Sequence, residues 1–329
     1  MRSDLNVPLE DGRIADETRI LASLPTLRLL LERDAAEIRV CSHLGRPKGP
    51  DPAFSIEPVR RRLRELLPED RVQVLENTRF DPGETKNDPE LARKLANGSE
   101  FFVEDAFGSV HRAHASTVGV AEVLPAYAGL LLEQELEQLG KLLSEVERPF
   151  VLLSGGAKVE DKLGVLRNLG GKADTILIGG KMAEQLRDEN PLDFEVVLPE
   201  DVVGAAAFEE DAEAGVFGYE ELPDGWLGLD IGPRTRERFA SELARAKTIF
   251  WNGPMGVFEW PRFAEGTKAV AQAVAAAEAF SVVGGADSIR ALNELGLTDE
   301  VSWASTGGGA ALELLEGKQL PGVSVIPAA

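Results

Sequence analysis

The chain has 329 residues, 43% of them hydrophobic, and a formal net charge of -21 at pH 7. That length suffices for two domains with cores of their own. The acidic balance excludes a phosphate-neutralising nucleic-acid surface, no apolar run approaches the roughly 20 residues that span a bilayer, and one cysteine, Cys41, excludes a disulfide framework or a multi-thiolate zinc site.

The N-terminus lacks the basic-then-apolar order of a secretory signal, so a cytoplasmic location is expected. Small anions remain admissible ligands, because distant carboxylates are screened beyond roughly 8 to 10 Å. Along the chain, apolar runs alternate with amphipathic ones, the pattern of strand-helix units around mostly parallel sheets. Helical spacing over 19–34 precedes a strand in "AEIRVCSHLG" (36–45), then a helix over 56–67 and a strand in "EFFVEDAFG" (100–108). A long helical pattern, 127–149, is read as a connection between two halves. Strands follow in "PFVLLSGG" (149–156), "DTILIGG" (174–180), "KTIFWNGP" (247–254), "FSVVGGAD" (280–287) and "VSWASTGGG" (301–309). The acidic stretch 208–224 has no period and reads as a solvated loop.

In open parallel sheets ligands bind beyond the carboxyl ends of the strands. In the first half those ends carry His43, Arg46, His111, Arg112 and His114. Arginine offers planar bidentate bonds to oxyanions, which makes Arg19, Arg46, Arg112 and Arg148 candidates beside His43. A metal between His111 and His114 lacks a third ligand nearby.

In the second half the strand ends carry glycines. Each alone reads equally well as a tight turn; together they let backbone amides approach a polyphosphate. The P-loop and dinucleotide fingerprints are both absent. "GGAKVEDK" places Lys158 and Lys162 four apart at an expected helix opening, unfavourable there unless an anion binds or Glu160 and Asp161 pair with them. Asp287 in "GGADS" could hold Mg²⁺ or serve as an ordinary N-cap. In "WNGPMGVFE" a rigid loop carries Asn252 and Glu259, the latter able to accept bonds from ribose hydroxyls.

Taken in order, "DLNVPL", "DETRI", "SHLGRPKG", "LENTRF", "EDAFGSVHRAHAS", "RPFVLLSGGAKVEDK", "LDIGP", "WNGPMGVFE" and "STGGGAALELLEGKQLPGV" resemble the phosphoglycerate kinase family over nearly the whole chain. The resemblance implies two Rossmann-like domains with mostly parallel sheets, joined by a long helix and hinge: 1–128 for 3-phosphoglycerate, 129–148 as connection, 149–315 for nucleotide, and a tail from about 316 to 329 returning to the first domain. It implies reversible phosphoryl transfer from 1,3-bisphosphoglycerate to Mg-ADP, giving 3-phosphoglycerate and Mg-ATP, by a monomer. Asp4, Asn6, Arg19, His43, Arg46, Arg112 and Arg148 would bind the acid. Gly155, Gly156, Lys158, Lys162, Gly232, Asn252, Glu259, Gly285, Ala286, Asp287 and Ser288 would meet the nucleotide, with Asp287 on Mg²⁺. Arg19, Lys158 and the amides of Gly307, Gly308 and Gly309 would surround the migrating group.

The chemistry agrees, since an acyl phosphate and a nucleoside diphosphate need alignment and charge stabilisation rather than a general base. The chain departs from the family's pattern at Glu104, where Asn is common, at Ala286 in place of Gly and at Trp303 in place of His. It is also short between "RELLPED" and "VLENTRF" and between "GGKMAEQ" and "VVLPED". Those departures keep a second class open, a phosphate-binding or regulatory relative without turnover, and Glu104 is expected to add an anion near the acid site.

Overall fold

The computed structural model describes residues 1–144 and 146–327. It forms two compact units, Met1–Glu137 with Gln319–Ala329, and Gln138–Lys318. Of the expected linker and tail, Glu145 and residues 328–329 lie outside the described residues.

The first unit opens with a small antiparallel hairpin, β1 (Leu9–Glu10) and β2 (Arg13–Ile14). There follow α1 (Thr18–Glu32), β3 (Ile38–Val40), α2 (Glu57–Leu66), β4 (Val72–Val74), α3 (Pro89–Ala96), β5 (Phe102–Glu104), α4 (Val120–Val123), β6 (Ala126–Ala128) and α5 (Leu130–Leu143). Helix α2 shows why such segments coil: Glu57 and Pro58 start it, Arg64 closes it, and Val59 and Leu63 bury one stripe. In α3 the Asp88 side chain accepts from the N–H groups of Glu90 (2.7 Å) and Leu91 (3.3 Å), satisfying the first turn.

Strands β3 and β4 pair in parallel, as do β5 and β6. Arg2 bridges Cys41 and Glu104 in the same sense, so the N-terminal residues knit the two pairs together. The Arg2 N–H donates to Val103 O (2.8 Å), and the Asp105 N–H donates to Arg2 O (2.9 Å). Under this frame Leu5, Ile20, Leu27, Val40, Ile56 and Val59 form the core.

The second unit runs β7 (Phe150–Ser154), α6 (Leu163–Gly170), β8 (Thr175–Ile178), α7 (Met182–Asp188), β9 (Asp201–Ala205), β10 (Ala214–Gly218), β11 (Leu227–Ile231), α8 (Pro233–Arg245), β12 (Thr248–Asn252), α9 (Glu265–Ala276), β13 (Phe280–Gly284), α10 (Ala286–Leu295), β14 (Trp303–Ser305) and α11 (Gly309–Leu315). Its main sheet has the order β14-β13-β12-β7-β8, and every pairing is parallel. Every residue of β7 and β12 is buried, as central strands covered on both faces require. A last helix, α12 (Pro321–Ser324), groups with the first unit, where the Gly322 N–H donates to Val110 O (2.8 Å).

Two local expectations are corrected. The stretch 208–224 contains β10, which pairs antiparallel with β9; β11 completes that small sheet. Its strands are short, and β10 is glycine-bearing and half-exposed, so an acidic surround masks their period. The long helix begins at Leu130 rather than 127, because 126–128 pair as β6. The division between the units falls inside α5, between Glu137 and Gln138, and the tail changes unit at Gln319.

Candidate active site

In the first unit the segments leaving β3, β4 and β5 carry the polar side chains. A cavity of about 450 Å³ is lined by Arg46, Lys48, Arg79, Lys86 and Arg112, with Asp81 the acidic group on its wall. The arginines crowd one another. Burial first, then Arg112 and Arg2, hold the Arg79 guanidinium below its usual pKa, with Arg46 adding to the effect. Mutually repelling cations around a water-accessible cavity are what an oxyanion site requires.

The neighbouring candidates are held by the chain itself. Arg19 pairs with the buried Asp4 (2.7 Å), whose Oδ1 has no hydrogen-bond partner. Asn6 Oδ1 accepts from the Gly45 N–H (2.7 Å) and so shapes the turn beside His43. Gly45 is required there, since its φ is +63° and a Cβ would stand 2.4 Å from the Phe54 ring. His43 is buried, and burial together with Arg2, Arg79, Arg19 and His114 keeps its pKa well below the ordinary value. Arg46 and Arg112 are exposed at the cavity.

Arg148 belongs to the second unit, at the amino end of β7, where its guanidinium engages Asp174 and the Lys172 carbonyl. Glu104 is also not the anion expected. Fully buried, with Oε1 accepting from the Ala106 N–H (2.9 Å), it has its pKa pushed up to about 8 by burial, against the opposing pull of Arg2. At neutral pH it is mostly protonated.

In the second unit the parallel register aligns the strand ends: Asn252 lies opposite Ser154 and Gly284, Gly284 opposite Ser305, and Ser154 opposite Ile178. Gly155, Gly179, Gly253 and Gly285 therefore follow in a row along one end of the sheet. Gly253 has φ +97°, and a Cβ there would stand 2.2 Å from Gly155 O. Part of the glycine requirement is thus mutual close approach of the loops. Ser288 is buried and accepts from the Gly253 N–H (2.8 Å), tying the start of α10 to the Asn252 loop. Asn252 is buried with Oδ1 unpartnered. Glu259 and Ala286 are exposed.

Lys162 is a half-buried cation near Asp287 of this sheet end. Burial lowers its pKa, and Asp161 and Asp287 oppose that fall. Asp287 stands in the first turn of α10, whose N-cap, Gly285, makes no side-chain cap bond. Lys158 is exposed and lies before α6, which starts only at Leu163, so the expected shared helical face does not exist. The Val159 N–H donates to Gln185 Oε1 (2.9 Å), drawing this segment, Gly156 included, into a loop.

Two of the glycines are engaged by the chain itself. The Gly232 N–H donates to Asp201 O (2.8 Å), and the Asp201 carboxylate accepts from the Arg234 and Thr235 N–H groups, so the start of α8 already has its anion. The Gly307 N–H donates to Ser305 Oγ (3.3 Å). Gly308, at φ +53°, and Gly309 open α11, where first-turn N–H groups have no intrahelical acceptor.

Arg2 and Arg79 escaped the sequence reading. Arg79 stands five residues beyond β4, where the strand-end rule that finds His43 would also have found it. Arg2 carries no such signal, because a buried arginine looks like any N-terminal charge until its partners are known.

Comparison with known proteins places these features in a family. A family model described as phosphoglycerate kinase matches residues 1–74, 67–193 and 183–318. Its stretches meet at 67–74 and 183–193, the two regions where the chain is short. The chain is 50% identical to phosphoglycerate kinase from Rubrobacter xylanophilus over 372 aligned residues, covering 99% of this chain and 94% of that protein. It is likewise 50% identical to a phosphoglycerate kinase from Thermus thermophilus, with 99% and 96% covered. These alignments are longer than the chain, so the relatives carry segments that it lacks. Among solved structures, phosphoglycerate kinase from Coxiella burnetii superposes with a TM-score of 0.85 at 38% identity, covering 99% of this chain and 94% of that one. The enzyme from Pyrococcus horikoshii gives 0.84 at 32%, with the same coverage. The chain belongs to the phosphoglycerate kinase family, kinases that transfer a phosphoryl group to or from a carboxyl acceptor.

Proposed function

We propose that the arginine-lined cavity of the first unit holds 3-phosphoglycerate or 1,3-bisphosphoglycerate, and that the glycine row of the second holds ADP or ATP. The observation that carries this reading is the level row of strand-end glycines with Lys162 and Asp287 beside it. Backbone N–H groups and one half-buried cation suit a polyphosphate. Arg19 and His43 orient the acid, Arg46, Arg79 and Arg112 take its phosphate, and Lys158 with the Gly308 and Gly309 amides faces the group in transfer. Arg148, engaged by Asp174, reaches an anion only if that pair opens.

Asp287 fits Mg²⁺. It supplies a hard carboxylate oxygen, and no cluster of three His, Cys, Asp or Glu side chains able to hold a metal ion occurs among the described residues. One carboxylate plus substrate phosphates is the usual magnesium arrangement. Bound there, the ion would neutralise charge on the nucleotide phosphates. Lys162 would share that task, and Asn252 Oδ1 is placed to receive a donor from the ligand.

Because the two ligand sets are carried by separate units, transfer requires the units to close on one another. We propose a cytoplasmic monomer; no helix among the described residues is long and apolar enough to cross a membrane. A coupled assay with 3-phosphoglycerate and Mg-ATP, at low and high salt, tests the activity. Turnover is expected, and ADP binding without ATP formation in the reverse direction would overturn it. Small-angle scattering should show compaction only with both ligands present.

A further inference from the structure

We infer that Arg2 is a positioning residue that locks His43 into one neutral tautomer, with the proton on Nε2, so that the ring meets the acid substrate as a fixed hydrogen-bond donor and never as a cation. Arg2 Nη2 lies 2.8 Å from His43 Nδ1. A guanidinium has no acceptor, so this contact exists only with Nδ1 unprotonated. The remaining N–H of a neutral imidazole is then on Nε2.

The guanidinium is held from every side. Its Nε donates to Ser116 Oγ (2.9 Å), and Ser116 Oγ donates to Glu84 Oε1 (2.6 Å). Glu84 also accepts from the Ser116 N–H (3.1 Å) and Thr78 Oγ1 (3.1 Å). Nη1 donates to Ser42 Oγ (3.2 Å) and to the Ser3 carbonyl. Arg2, Ser116 and Glu84 are all fully buried. The Arg2 backbone is clamped between β3 and β5, so the side chain cannot withdraw. A relay thus runs from a buried carboxylate through Ser116 and Arg2 to the ring.

The charged groups acting on that ring come from three segments, Arg2 from the N-terminus, Arg19 from α1 and Arg79 from the loop after β4; His114, from the segment after β5, also faces it but is neutral, its own pKa held down to about 4 chiefly by burial. Each of the three arginines disfavours an imidazolium, as burial does. A neutral donor gives an anion less Coulomb attraction than a cation would, but its strength does not change across neutral pH. The charge is supplied instead by the arginines, which do not titrate there.

The inference rests on the proposal that His43 serves the acid site, and the test separates the two. The chain contains three histidines, so ring ¹⁵N spectra are simple, and His43→Gln assigns the His43 signals by their loss. In the wild-type protein we expect an unprotonated Nδ1 and a protonated Nε2 from pH 5.5 to 8, with no titration. A protonated Nδ1, or a midpoint between pH 6 and 7, overturns the lock. Arg2→Lys keeps a donor and a charge but loses the fork. It should raise KM for 3-phosphoglycerate about tenfold, leave kcat and the nucleotide KM within about twofold, and give KM a pH step near the ordinary histidine value of about 6.5 that wild type lacks. Ser116→Ala, which cuts the relay with little loss of volume, should do the same more weakly. If the wild-type tautomer is as stated but 3-phosphoglycerate leaves Nε2 unshifted, the proposal falls through its functional premise. An unchanged KM in Arg2→Lys together with a shifted Nε2 overturns the positioning role itself.

Discussion

In the unit made of residues 1–137 and 319–329 the candidate site is built from side chains: arginines around a cavity, with Arg79 held by donation to the Gly45 carbonyl. In the unit of residues 138–318 it is built from backbone, a row of glycines aligned by parallel register. Side chains can be removed one at a time, and the loss is graded. In a backbone site there is no side chain to trim along the glycine row, and an added methyl strikes a main-chain atom that cannot yield. The same ligand class, a phosphate-bearing anion, is thus met by two constructions that fail differently under substitution.

The largest expected effect is on turnover. Lys158 is exposed, so Lys158→Ala leaves the fold intact while removing a cation from the transferred group. Turnover at saturating substrates should fall roughly 10²-fold or more, and a drop under fivefold would remove Lys158 from the site. Arg19→Ala should cost as much. It should also lower the melting temperature, because Asp4 is buried and would lose its partner at 2.7 Å.

A sharper contrast comes from Gly253→Ala. With φ at +97° and Gly155 O only 2.2 Å from the new methyl, the loop must move. The expected loss of stability is about 1–3 kcal/mol, with weakened ADP binding and unchanged 3-phosphoglycerate binding by calorimetry. Arg79→Ala should show the opposite pattern: KM for 3-phosphoglycerate up about 10- to 100-fold, as for a lost charge-assisted bond, with nucleotide affinity retained. Coupled losses of both ligands in both variants would erase the distinction between the units.

The same contrast explains what could be read from the chain. The glycine row was legible because hydrophobic strands ending in glycine announce both the sheet and its active end, and register follows once the strands are parallel. His43, Arg46 and Arg112 were legible for the same reason. Lys158 was misread because spacing alone cannot reveal that Gln185, from α7, captures the Val159 N–H and delays the helix. At Gly232 the sequence does not announce that Asp201, distant along the chain, fills the helix start that follows. Arg148 depended likewise on Asp174. In each case a long-range polar partner, which leaves no periodic trace, decided the outcome.

Glu104 offers the mildest test, and one confined to the side-chain-built unit. Its pKa rises from the ordinary 4.5 to about 8, chiefly by burial, and that of its neighbour Asp105 rises to about 7 for the same leading reason. Between the ordinary and the raised value the folded state keeps a proton that the unfolded chain has lost. The folded state then binds more protons, so the free energy of unfolding falls as pH rises. The contribution of Glu104 is full below about pH 4.5 and is lost by about pH 8. Glu104→Gln keeps an oxygen for the Ala106 N–H but has no proton to lose. Its melting temperature should match wild type near pH 5 and exceed it near pH 8, by an amount worth at most a few kcal/mol, while Asp105 preserves a shallower slope of the same sign. An equal difference at both pH values would mean that Glu104 is ionised in the fold, and the anion first expected at this strand end would be restored.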